Sequence, residues 1–150
     1  MTVPSHTAPV AVRDLDCALD AVRARGLRLS MARRVVVEAV FTAPGPVTAE
    51  EIARSGRRDL ASVYRNLEAL EAIGLIRHLH VGHAAGLYLP AAMAVELVVC
   101  ERCGARSDID PRVSADVRAA IREATGFSPR FHHFPLAGLC PRCAAGRPER

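Results

Sequence analysis

Two C-x-x-C pairs, Cys100/Cys103 and Cys140/Cys143, constrain this chain more than any other feature of its 150 residues. Four thiolates supplied two by two suit tetrahedral, all-sulfur coordination of zinc, because both sulfurs of a pair sit on one tight turn and point the same way. The turns read Glu101-Arg102 and Pro141-Arg142 between their sulfurs, and 36 residues separate the pairs. That gap is too long for a compact ribbon, so the metal is expected to tie the start of a folded unit to its end. A closed shell of four sulfurs keeps no position open for water, which speaks against zinc hydrolysis, and no H-x-E precedes either pair as zinc deaminases require. A redox dithiol is the alternative that the spacing leaves. The fifth cysteine, Cys17, stands alone on a helical stretch and is expected to be a small core residue.

Reduced cysteines imply a cytoplasmic setting. No apolar run of about 18 residues spans a membrane, and residues 1–10 lack the basic and apolar regions of a secretory signal. Half of the chain is hydrophobic, enough for a core without disulfide staples. The formal charge is +4, and all twenty basic residues are arginines. Arginine grips phosphate and guanine edges through two parallel hydrogen bonds, so an anionic partner is permitted and placement has to decide.

Periodicity organises the rest. Residues 1–10 read as a flexible tail. Val12, Leu15, Leu19 and Val22 recur at helical spacing, with Gly26 as a stop. Ser30 caps a second helix expected to turn Val35, Val36, Ala39 and Val40 inward, and Pro44-Gly45-Pro46 ends it. Thr48 and Glu51 form a capping box that opens a short third helix. Asp59 caps a fourth, whose apolar stripe is Val63, Leu67 and Leu70 and whose end is Gly74. Arg65 falls almost opposite that stripe, flanked by Ser62 and Tyr64, and all three are expected to face outward. Alternation over residues 75–81 and 87–89, with a turn between, predicts a hairpin. Three helices closing on a short turn and then a hairpin give a winged helix-turn-helix over residues 11–89.

Residues 90–93 read as a hinge, and residues 94–145 as a second, small α/β domain carrying the cysteines, followed by an Arg-rich tail over 146–150. Within it, residues 95–99 and 107–109 read as strands, and Asp110-Pro111 opens a helix with Val113, Val117, Ile121 and Ala124 inward. Residues 130–139 read as a last strand. The fold class is therefore α+β.

Several blocks together resemble the ferric uptake regulator superfamily: Gly26-Leu27-Arg28-Leu29-Ser30-Met31-Ala32-Arg33, Val47-Thr48-Ala49-Glu50-Glu51-Ile52, Ala61-Ser62-Val63-Tyr64-Arg65-Asn66-Leu67, Gly74-Leu75-Ile76, and the two cysteine pairs with their flanks. The resemblance covers roughly residues 12–143 in order. It implies a homodimeric transcriptional repressor whose winged helix reads operator DNA, whose second domain dimerises, and which holds one structural zinc per subunit. Tyr64 and Arg65 then correspond to the DNA-contacting pair of the recognition helix and Arg33 to a backbone-contacting position. Ser62, Arg28 and Arg57 join them as candidate DNA contacts, with Arg34 and Arg58 nearby.

The pattern breaks at the regulatory metal. Where such proteins place ligands, this chain has Pro46, Leu89, Val95 and Leu97, none of which can bind an ion. The histidines that remain resemble the nickel-responsive branch. His78 and His80 lie two apart on a predicted strand, hence on one face, and His83 lies in the turn. His132 or His133 opens the last strand. Three imidazoles suit nickel, zinc or iron. No nucleophile with a base, and no open metal position, marks an enzyme. The competing reading is a zinc-stabilised interaction module that does not read DNA, or a DNA-binding regulator with structural zinc alone.

Overall fold

The computed structural model describes residues 8–81, 85–131 and 135–146. Helices α1 (Leu15–Ala24) and α2 (Met31–Thr42) precede a short strand β1 (Val47–Thr48), helices α3 (Ala49–Gly56) and α4 (Leu60–Ala72), and strands β2 (Ile76–Leu79) and β3 (Leu87–Pro90). Then come β4 (Leu97–Cys100), β5 (Arg106–Asp108), α5 (Pro111–Thr125), β6 (Leu136–Gly138) and α6 (Pro141–Ala144). The chain divides into two compact units that meet at Met93 and Ala94, with Leu79 grouped in the second.

Capping residues set the helix starts. Asp14, Ser30 and Asp59 each accept a hydrogen bond from the backbone N–H three residues on, satisfying one of the donors a helix start leaves over. At α3 the exchange is reciprocal: Thr48 Oγ1 accepts from the Glu51 N–H, and the Glu51 carboxylate accepts from the Thr48 N–H. Gly26 and Gly74, just past the ends of α1 and α4, have φ of 78° and 75°, a region closed to most side chains.

In the first unit one apolar face from each of the four helices meets the next. Ala18, Leu19 and Val22 pack with Val36, Val37 and Val40, with Ala49 and Ile52, and with Val63, Leu67 and Leu70, under Leu75 and Ile76. Two expectations fail here. Val37, not Val35, is the fully buried valine of α2, while Val35 turns toward Gly56 of α3. Cys17 is exposed, because the buried positions of α1 begin one residue later at Ala18. The chain is also fastened earlier than a tail ending at residue 10 implies: the Val10 N–H donates to the Gly74 carbonyl at 3.0 Å. The small sheet of this unit has the order β1-β3-β2, with Val47 opposite Tyr88 and Thr48 opposite Leu87. Residues 91–93 are held too. The Ala91 N–H donates to the Leu75 carbonyl at 3.0 Å, and the half-buried Arg77 guanidinium donates to the Met93 carbonyl at 2.7 Å.

The second unit is a three-stranded sheet in the order β5-β4-β6. The central strand β4 pairs antiparallel with β5 and parallel with β6. Helix α5 departs from the expected pattern. Ser114 is its buried residue, Val117 and Ile121 are half-buried, and Val113 and Ala124 lie open, Val113 at 53% exposure. Its apolar stripe is not covered by the rest of its own unit, and Phe127 just beyond it is 77% exposed. Among the described residues no helix is long and apolar enough to cross a membrane.

Candidate functional sites: a four-cysteine centre and a basic helix face

The parallel pairing of β4 with β6 closes the long gap between the cysteine pairs. Val98 lies opposite Leu136, Val99 opposite Ala137 and Cys100 opposite Gly138, so β6 delivers Cys140 beside the end of β4. After Cys100 the chain turns back: the Gly104 N–H donates to the Cys100 carbonyl at 2.8 Å and the Cys100 N–H to the Ala105 carbonyl at 2.7 Å, with Gly104 at φ 73°. After Cys140 the chain enters α6 with Pro141 in the first turn, and the Cys140 sulfur accepts the Cys143 N–H at 3.5 Å.

The four sulfurs lie within 4.8 Å of one another, and the Cys103 and Cys140 sulfurs are 3.7 Å apart. A regular tetrahedron with zinc–sulfur bonds of about 2.3 Å has edges of about 3.8 Å. All four are free thiols. Cys100 and Cys143 are buried, Cys103 and Cys140 half-buried. Electrostatics points the same way. Backbone N–H groups from Cys140 and then Cys103 hold the Cys100 thiol down to about 6, whereas burial and then the Cys140 sulfur push Cys143 up to about 12. Crowded sulfurs cannot all ionise alone, and a dication at their centre removes that conflict. The residues therefore fit a zinc ion.

In the first unit, α4 presents Arg65 to solvent, with Arg57 and Arg58 exposed just before the helix and Arg28 exposed on the loop before α2. Arg57 has φ 49°, which turns the chain sharply out of α3 toward α4. Not every candidate is equally available. Tyr64 does not face outward as expected. It is half-buried against the core, and its hydroxyl donates to Glu50 Oε1 at 3.3 Å, pinning α4 to α3. Ser62 is half-buried, and its carbonyl accepts from Asn66 Nδ2 at 2.9 Å. Arg33 is half-buried as well, donating from Nε to Asn66 Oδ1 at 3.1 Å and from one terminal nitrogen to the Arg28 carbonyl at 2.6 Å. Asn66 is thus a buried joint between α2 and α4 that the sequence reading missed. The signal was present, since a polar residue three after Val63 and one before Leu67 falls inside the apolar stripe.

The four places where regulatory ligands were sought are filled apolar positions. Pro46, Leu89 and Leu97 are buried and Val95 half-buried. His78 lies on β2, half-buried, with Nδ1 2.5 Å from Glu71 Oε1 and its ring 5.9 Å from that of Tyr88. The Glu71 carboxylate raises the imidazole above its ordinary value, and burial opposes that rise. His80 is exposed one residue beyond the end of β2. His83, His132 and His133 lie outside the described residues. Among the described residues the four cysteines are the one cluster with the spacing to hold an ion.

Comparison with known proteins agrees with this architecture. Over 140 residues the chain is 26% identical to the peroxide operon regulator of Bacillus subtilis, covering 90% of this chain and 97% of that protein. It is 24% identical over 134 residues to the peroxide-responsive repressor PerR of Staphylococcus saprophyticus, covering 86% and 90%. The fold matches that of the Helicobacter pylori ferric uptake regulator, a structure described as having three functional metal-binding sites. The TM-score is 0.68 at 23% identity, over 90% of this chain and 97% of that one. It also matches a zinc-bound manganese uptake regulator, with a TM-score of 0.63 at 21% identity, over 82% and 98%. The model of the ferric uptake regulator family matches residues 24–136 of the sequence, and the chain belongs to that family.

Proposed function

We propose that this protein is a homodimeric, sequence-specific DNA-binding repressor with one structural zinc per subunit, acting as a regulator rather than an enzyme. The observation that carries the reading is the exposed basic face around the start of α4: Arg65 on the helix, with Arg57 and Arg58 before it. Guanidiniums there can pair with phosphates and with guanine edges in the major groove. Arg65 is assigned to base contact. Arg28 and Arg57 are assigned to the backbone, with Ser62, Tyr64 and Arg33 contributing mainly by fixing the helix. Residues 11–89 form the DNA-reading domain and residues 94–145 the dimerisation domain, joined through residues 90–93. The uncovered stripe of α5, exposed Phe127 and the exposed edge strand β5 support dimerisation, since apolar surface of that kind is normally covered by a partner.

Zinc is assigned to Cys100, Cys103, Cys140 and Cys143, where it would supply a structural crosslink between the two ends of the second unit. Control by a second ion (nickel, zinc or iron) is assigned to His78 and His80 with His132 or His133. One observation favours His78: an imidazole that ligates a metal characteristically engages a carboxylate through its other nitrogen, as Glu71 does here. The test is binding to the DNA upstream of the protein's own gene, with and without Ni, Zn, Fe and Mn, alongside sedimentation for the dimer. Salt-sensitive binding that survives excess random DNA is expected. Equal affinity for both DNAs overturns the repressor reading in favour of a zinc-stabilised interaction module. An identical response to every metal in the parent and in His78→Ala/His80→Ala removes the wing histidines from control.

A further inference from the structure

The two cysteine turns share a feature that zinc coordination does not require. Each carries an arginine immediately before its second cysteine, Arg102 before Cys103 and Arg142 before Cys143. Both side chains cross to the opposite pair. Arg102 donates to the Cys143 carbonyl at 3.0 Å, bridging 41 positions of sequence. Arg142 is hydrogen-bonded to the Cys103 sulfur, with Cys140 and Cys143 as its next electrostatic partners. The contacts are reciprocal, first turn to second and second to first.

We propose that Arg102 and Arg142 are positioning residues of the four-sulfur centre, cross-bracing its two turns and offsetting the charge of a zinc tetrathiolate. The inference rests on the zinc reading above. A dication with four thiolates carries a formal charge of −2, and the two guanidiniums bring the cluster to neutrality. A cation donating to a thiolate also lowers its electron density, so the sulfur is less readily protonated and less readily lost from a metal. Arg102 acts differently. It ties the backbone of the second turn to the first, so that one pair cannot drift from the other while both hold an ion. Both side chains are exposed at the surface, and their replacement removes no core packing.

The experiment loads the full-length parent, Arg142→Gln, Arg142→Lys and Arg102→Gln with cobalt and with zinc. It follows transfer of each metal to a chromogenic chelator and the energy of the thiolate-to-cobalt charge-transfer band. Loss of an outer-shell partner typically weakens metal binding roughly 10- to 100-fold. That range is expected for Arg142→Gln and Arg102→Gln, seen as lower affinity and faster transfer. The cobalt band of Arg142→Gln moves to lower energy, because its thiolate loses a donor, whereas that of Arg102→Gln stays in place. Arg142→Lys recovers most of the affinity, since it keeps the charge, and the gap between parent and Arg142→Gln narrows in high salt. Transfer rates within twofold across all four proteins overturn the proposal, and so does an Arg142→Lys that behaves like Arg142→Gln. A parent that binds no tetrahedral cobalt overturns the zinc reading and this inference with it. A parent that binds one ion per chain, with variants indistinguishable from it, overturns this inference alone.

Discussion

Asn66 is the most informative residue to perturb in the first unit, because it joins two helices through groups whose replacement has a calculable cost. It is 8% exposed, takes a hydrogen bond from the Arg33 guanidinium and gives one to the Ser62 carbonyl. A hydrogen bond involving a charged group contributes about 1.5–3 kcal/mol and a neutral one about 0.5–1.5 kcal/mol. Half-buried Arg33 can recover some hydration, which places Asn66→Ala at about 2–3 kcal/mol of destabilisation. For a chain of this size that lowers Tm by roughly 4–12 °C. Arg33→Ala loses the same bond and the one to the Arg28 carbonyl, so it is expected to weaken the fold as well as DNA binding. The double-mutant cycle should return a coupling of about 1–2 kcal/mol. Tyr64 and Tyr88 are the chain's two tyrosines, tryptophan is absent, and both lie in the first unit, so tyrosine fluorescence in urea reports on that unit. A coupling below about 0.3 kcal/mol refutes the joint, because independent sites add to within that margin.

Four further outcomes are expected. Arg65→Ala should lose roughly 1–3 kcal/mol of operator binding by fluorescence anisotropy, with urea unfolding unchanged, and an equal loss on random DNA removes it from base reading. Gly56→Ala should lose about 1 kcal/mol of stability despite alanine's better helix propensity, because the new Cβ would lie 2.5 Å from Val35 Cγ1 and helical valine has little χ1 freedom; a stabilised variant in thermal melts contradicts this. Glu71 raises the His78 pKa, so the pair stabilises the fold fully below the unfolded value of about 6.5 and loses that contribution as pH rises through the higher folded value. Glu71→Gln should therefore melt below the parent at about pH 6 and match it near about pH 9, and a constant gap refutes the linkage. Cys100→Ser should lose stoichiometric zinc by mass spectrometry and leave the second unit poorly folded, since structural zinc binding is coupled to folding.

The helix starts and the cysteine turns were legible because both depend on residues close in sequence. Ser30, Thr48 with Glu51, and Asp59 satisfy N–H groups three positions away, and that arithmetic holds whatever the helix later packs against. What failed required knowing the partner surface. A helical wheel gives α2 an apolar side, but only the position of Gly56 decides that Val35 turns toward α3 while Val37 enters the core. Tyr64 looked outward by angle alone, and the Glu50 carboxylate on another helix draws its hydroxyl in. Cys17 sits one step outside the stripe, an error of about 100° that a lone residue's neighbours do not correct. The stripe of α5 was read correctly as apolar and wrongly as buried within one chain, because periodicity reports that a face needs cover without saying which molecule supplies it.

The same distinction explains why losing the common regulatory site leaves the fold intact. Ligand-bearing side chains at those places would have to keep polar atoms clear of the core. Here Leu89 and Leu97 are 1% and 2% exposed and pack as ordinary strand residues, with Pro46 buried before β1. Full burial of an apolar side chain contributes about 1.5–3 kcal/mol, so each substitution exchanges a metal-dependent contact for a permanent one. Reinstating a single histidine at Leu97 would bury an imidazole without its partner ligands, and the expected result is a less stable chain rather than a restored sensor. Control by metal, where this protein has it, must act through residues whose polar atoms are already satisfied in the folded chain. His78, held by Glu71 on the far end of α4, meets that condition, and it links the wing directly to the helix that carries Arg65.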